Sequence, residues 1–122
     1  MTGYLNIKGI MPGLNDYSGA ERVHRQVAAK MKREETARVA WAAKAQLPKF
    51  TKTIRLTITY REKARNRDKD NIAFAKKFIL DGLKDAGCIP NDGWAWIDGW
   101  SESFIVDKDD PGITVIINEV KG

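Results

Sequence analysis

Two aspartates one residue apart, Asp68 and Asp70, lie in the stretch RDKDN at residues 67–71, inside the most basic segment of the chain. A third acid, Asp92, follows in IPNDGW at residues 89–94. Carboxylate oxygens are hard donors, and Mg²⁺ or Mn²⁺ is held by a few of them together with substrate phosphate oxygens. The neighbouring Arg65, Arg67 and Lys69 suit the remaining phosphodiesters of a nucleic acid. One or two metals so placed activate water and stabilise a leaving oxygen. Plainer roles exist for the same residues. Asp70 suits a helix N-cap, Asp68 a solvated loop, and Asp92 an ordinary Asn-Asp-Gly turn.

The charge distribution points the same way. The 122-residue chain carries a net charge of +5, and the excess is segregated. Residues 49–77 hold 10 Lys/Arg against 3 Asp/Glu, whereas residues 78–122 hold 3 against 9. A basic middle joined to an acidic end suggests a polyanion-binding surface that meets a carboxylate-rich patch. The length is that of one domain, 1–122, and needs no disulfide framework. Cys88 is the only cysteine and cannot form an internal disulfide, which fits a reducing, cytoplasmic setting. No apolar run approaches the roughly 20 residues of a membrane span, and the first residues lack a signal-peptide pattern.

The elements that must position these acids follow from hydrophobic periodicity. YLNIKGI (4–10) and TIRLTITY (53–60) alternate as strands, the second with Ile54, Leu56, Ile58 and Tyr60 on one face. MPGLNDYSG (11–19) reads as a loop. A helical stretch, either one bent helix or two, extends from about Ala20 to Gln46, with Val23, Val27 and Met31 as a buried stripe. A second helix runs from Asn71 to Asp85, capped by Asp70 and ended by Gly87. Its core stripe is Ile72, Ala75, Ile79, Leu83 and Ala86, and the opposite, charged face carries Asp70, Lys77 and Asp81. ESFIVDK and GITVIINEV form two last strands around the turn DDPG. The expected fold is a single α+β domain of order β-α-β-α-β-β, a mixed sheet with helices packed against it.

RDKDN, the helix, LDGLKDAG and NDGW together resemble the RusA family of Holliday-junction resolvases, many of them from phages and prophages. The family pattern D-x-D-N, then L-D-x-L and glycine, then an acidic pair, is matched by Asp68, Asp70 and Asn71; by Leu80, Asp81, Leu83 and Gly87; and by Asn91-Asp92. Pro12 and Asn15 match an early P-x-x-N, and a terminal hairpin fits as well. The resemblance covers nearly the whole chain. It implies a homodimer that cuts four-way DNA junctions in recombination and repair, using Mg²⁺ or Mn²⁺ held by Asp68, Asp70 and Asp92. Asn71 would position a ligand or cap a helix. The pair here is Asn91-Asp92 rather than two aspartates, so Asp92 alone supplies that carboxylate. The family's functional lysine falls at Phe74 in this sequence, leaving Lys77, or Lys76, to meet a phosphate.

The loop bearing Arg61, Lys63, Arg65 and Arg67 leads straight into RDKDN and is expected to contact DNA backbone, with Lys69, Lys76 and Lys77 adding to it. The segment with Trp94, Trp96 and Trp100 reads as core packing or a dimer surface, with base stacking as the alternative; Phe74 and Phe78 are candidate wedges. His24, without a Cys or His partner, suits a surface or capping role. Three other functions fit the same residues: a nuclease for different branched DNA or RNA, a non-catalytic binder of structured DNA, and an interaction protein with no nucleic-acid role.

Overall fold

The computed structural model describes residues 1–120, so Lys121 and Gly122 of the expected domain lie outside the described residues. Eight elements follow in order: β1 (Thr2–Lys8), α1 (Leu14–Val23), α2 (Arg25–Gln46), β2 (Ile54–Glu62), α3 (Lys69–Ala73), α4 (Lys76–Asp85), β3 (Ile97–Val106) and β4 (Gly112–Glu119). The strands form one mixed sheet of order β1-β4-β2-β3. The fold is therefore a single-domain α+β arrangement, as the periodicity implies. Among the described residues no helix is long and apolar enough to cross a membrane.

Alternation builds the core. Leu5 and Ile7 of β1, Ile54, Leu56, Ile58 and Tyr60 of β2, and Ile113, Val115 and Ile117 of β4 are all buried on one face. Ile72, Ala75, Phe78, Ile79 and Leu83 cover that face from α3, α4 and the turn between them, while Ala86 is only partly buried. The opposite face, with Tyr4, Thr57 and Ser101, is exposed. Helix α2 crosses α4 closely because small residues meet there. A Cβ on Gly82 would lie 2.4 Å from a Val39 methyl, closer than side chains can pack.

The last two strands are not a hairpin. β4 pairs antiparallel with β2 and β3 pairs parallel with β2, so β2 separates them. The DDPG turn thus carries the chain past the end of β2, where the Asp107 N–H donates to the Glu62 carbonyl at 2.8 Å. This leaves β3 as an edge strand.

The helices also differ from their expected boundaries. PGLNDYSG is not all loop: α1 begins at Leu14, where the Asp16 carboxylate accepts the Gly13 N–H at 2.8 Å. The break between α1 and α2 falls at His24, whose Nδ1 accepts the Gln26 N–H at 3.0 Å and caps α2. The Val23–Val27–Met31 stripe is not core. Val23 is 77% and Val27 46% exposed, because α2 reaches the core through Ala28, Thr36, Val39, Ala40 and Ala43 instead. Cys88 is buried, and burial pushes its thiol pKa up.

Candidate nucleic-acid and metal site

The RDKDN stretch starts a helix at the exit of β2. Asp68 takes the N-cap position without a side-chain cap hydrogen bond, correcting the expectation that Asp70 would. Asp70 lies in the first turn, and its Oδ1 accepts the Asn71 N–H at 3.0 Å. Both aspartates are exposed. Asp68 lines an open cleft of about 480 Å³ together with Arg65, Lys69, Phe104, Ile105 and Val106. Two carboxylates at a helix start with free oxygen lone pairs are suitable donors for Mg²⁺ or Mn²⁺.

Two clamps hold this stretch against the segment before α1. Arg67 forms a forked pair with Glu62, at 2.9 and 3.0 Å, and donates to the Met11 carbonyl at 3.2 Å. Its guanidinium also lies 3.8 Å from Asp16. On the other side, Asn71 Oδ1 accepts the Asn15 N–H at 2.8 Å and caps the free start of α1. The backbones approach so closely that a Cβ on Gly13 would sit 2.4 Å from that oxygen. Pro12 and Asn15 thus belong to the segment that braces the aspartates.

The third acid is elsewhere. Asp92 lies in the loop before β3, which is tied to the start of β2. The Ile54 N–H donates to the Trp96 carbonyl at 2.9 Å, and Thr53 Oγ1 donates to the Ala95 carbonyl at 2.7 Å. Asp68 sits past the far end of the same strand. The nine residues of β2 span about 26 Å at roughly 3.3 Å per residue. The helix expected to gather the three acids instead separates them. Among the described residues no three His, Cys, Asp or Glu side chains come together as an ion-binding group.

The basic residues divide into structural and available ones. Arg61 is 8% exposed. Its guanidinium is consumed by the Asp110 carbonyl at 3.0 Å, Asn6 Oδ1 at 2.9 Å and Thr114 Oγ1. Arg67 is held by Glu62. The expected DNA contacts from Arg61 and Arg67 are therefore corrected to fold-building contacts. Lys63, Arg65 and Lys69 remain exposed; Arg65 and Lys69 line the cleft, with Lys69 Nζ 5.6 Å from the Phe104 ring centroid.

Neither candidate lysine faces the aspartates. Lys76 Nζ lies 3.0 Å from Glu102 and 4.6 Å from the Trp100 ring centroid. Glu102 also accepts the Tyr60 hydroxyl at 2.7 Å. Burial, then this carboxylate, pushes the Tyr60 pKa far up, keeping it a donor. Lys77 pairs with Asp81 at 3.4 Å, in the groove between α2 and α4. Asp81 is buried there rather than outward. The chain between α3 and α4 is irregular: Ala75, Lys77 and Phe78 donate to residues three back, a tighter turn than an α-helix makes. Of the candidate aromatic wedges, Phe78 is fully buried, whereas Phe74 is partly buried and stacks on Tyr17 at 5.3 Å.

The spacing of charges left Glu62 unremarked, although a lone acid among Arg61, Lys63, Arg65 and Arg67 signals a pairing partner. These assignments make a measurable distinction. Arg61→Ala is expected to destabilise the fold by about 2 kcal/mol in urea titrations, the cost of orphaning buried acceptors. Lys63→Ala with Arg65→Ala is expected to leave stability unchanged and, on the expectation that this surface meets DNA backbone, to flatten the log K against log salt slope by about 2.

Compared with known families and curated proteins, the chain matches no family model and no curated protein.

Proposed function

We propose that this chain is a homodimeric, metal-dependent endonuclease that cuts branched DNA, the four-way junction foremost, with Asp68 and Asp70 of one copy and Asp92 of the other forming each site. The observation that carries the reading is the pair of exposed aspartates at a braced helix start, beside an open cleft lined by Arg65 and Lys69, with exposed Lys63 in the same loop. Carboxylates are not required for solubility in so basic a segment, and their fixed position suits an ion rather than a loose surface. The resemblance of D-x-D-N, L-D-x-L and NDGW to the RusA family supports the same chemistry.

A single chain offers two carboxylates here, which fits Mg²⁺ when substrate phosphate oxygens complete its shell. The bound cation would supply an activated water and charge neutralisation at the leaving oxygen. The chain's own residues do the rest. Asn71 and Arg67 hold the aspartates through the 11–16 segment. Lys63, Arg65 and Lys69 fix the phosphodiester backbone without reading bases. Asp92, a sheet length away in its own chain, completes the site only from a second copy. A two-fold axis then yields two sites, and two sites on opposing strands give paired cuts.

The test is cleavage of an end-labelled synthetic four-way junction beside a fork and a linear duplex. The expected result is paired, symmetric incision of the junction that requires Mg²⁺ or Mn²⁺ and stops with EDTA. Preferential cutting of the fork assigns the site to other branched substrates. Tight, salt-sensitive binding without incision in Mn²⁺ makes the chain a structured-DNA binder.

A further inference from the structure

We propose that Trp94 is an intermolecular anchor, inserted into the cleft beside Asp68 of a second copy of this chain. The inference rests on the dimeric reading above and goes beyond it, since Asp92 could reach a partner without any anchor.

Trp94 is 99% exposed, more than any other large apolar residue described. An indole left wholly in water is unfavourable, and tryptophan is prominent among residues that dominate protein interfaces. The cleft is the complementary feature. Its walls include Ile72, Phe104, Ile105 and Val106, and Ile105 and Val106 are about half exposed. The cleft carries the acids Glu62 and Asp68 as well as Arg65 and Lys69, and Asp98 is paired with Arg55 at 3.4 Å, so the fit rests on apolar contact with these walls.

Topology selects a second copy as the occupant. Trp94 precedes β3 and the cleft lies at the end of β3, the ten-residue edge strand of the sheet. Loop and cleft therefore occupy opposite ends of one edge and cannot meet within a chain. Two copies meeting along this edge about a two-fold axis run antiparallel. With the axis near Gly99 and Trp100, residue 97 of one copy lies opposite residue 102 of the other, so the turn carrying Trp94 comes to the end of the partner's β3, where the cleft lies, and the arrangement repeats on the far side. The contact is reciprocal and closed. It also covers an edge strand that would otherwise present unpaired backbone groups.

The experiment uses sedimentation velocity and disulfide trapping. Wild type is expected to be a dimer at micromolar concentration. Trp94→Ala and, independently, Val106→Glu at the cleft raise the dimer dissociation constant at least tenfold, whereas Trp94→Phe restores most of the affinity. Circular dichroism of each variant matches wild type, because both positions are exposed. The double variant Trp94→Cys with Val106→Cys oxidises to a covalent dimer on a non-reducing gel, and the single variants do not. Cys88, buried, stays out of the reaction. A monomeric wild type, or a Trp94→Ala dimer of undiminished affinity, overturns the inference. If wild type cuts junctions while Trp94→Ala dimerises normally, the anchor fails and the nuclease stands. If Trp94→Ala breaks the dimer while wild type cuts nothing, the nuclease fails and the anchor stands.

Discussion

Junction cleavage by Asp70→Asn falls by on the order of a thousandfold, while junction binding in EDTA stays within a few fold of wild type. Asparagine has the shape of aspartate and retains a side-chain oxygen for the Asn71 N–H, now 3.0 Å away. The residue is exposed, so its replacement opens no cavity and strands no buried partner. What is lost is a negative charge and a hard donor for a divalent cation; on the proposed reading, a cation held there would supply the activated water and neutralise the leaving oxygen. Single-turnover strand scission on a labelled junction measures the rate, and Mn²⁺ titration calorimetry measures the loss of metal affinity. Undiminished cleavage by the variant would remove Asp70 from the site.

Asp92→Asn is expected to lose cleavage as completely, although Asp92 is about a sheet length from Asp70 in its own chain, from the rise of β2. A residue that far away in a monomer would ordinarily alter the rate by a small factor through folding alone. Asp92 lies in the NDGW loop, where Asn91 Oδ1 accepts the Gly93 N–H at 2.9 Å. That turn does not depend on the Asp92 carboxylate, so the loop keeps its shape in the variant. The same two readouts apply: scission falls on the order of a thousandfold and Mn²⁺ binding by the dimer weakens.

The strands were legible because burial on a single face imposes strict alternation. Ile54, Leu56, Ile58 and Tyr60 are buried as their spacing implies. The stripe Ile72–Ala75–Ile79–Leu83 was legible for the same reason, despite the tightened turn within it. The pairing of β3 was not, because a short turn between two strands favours a hairpin locally, and only the sheet as a whole shows β2 between them. The start of α1 was hidden because Gly13 at its N-cap brings no side chain and the Asn15 N–H is met by Asn71, 56 residues away. Val23 and Val27 have the periodicity of a core stripe, but α2 packs through its alanines, and nothing in the spacing tells which apolar stripe wins. Among the candidate site residues, Asp68 and Asp70 were legible as a charged pair at a helix start. Composition alone could not separate Arg61 and Arg67, which hold the fold, from Lys63 and Arg65, which remain exposed. Nor could it separate three acids in one sequence from three acids at one place in one chain.

The measurement that bears most directly on the shared site is strand scission by a mixture of two inactive proteins, Asp70→Asn and Asp92→Asn, exchanged into mixed dimers. If Asp68 and Asp70 of one copy work with Asp92 of the other, each mixed dimer has one doubly damaged site and one intact site, and single-strand nicks return on the junction. If the acids act within one chain, both sites of every mixed dimer are damaged, and a mixture that stays silent contradicts the account.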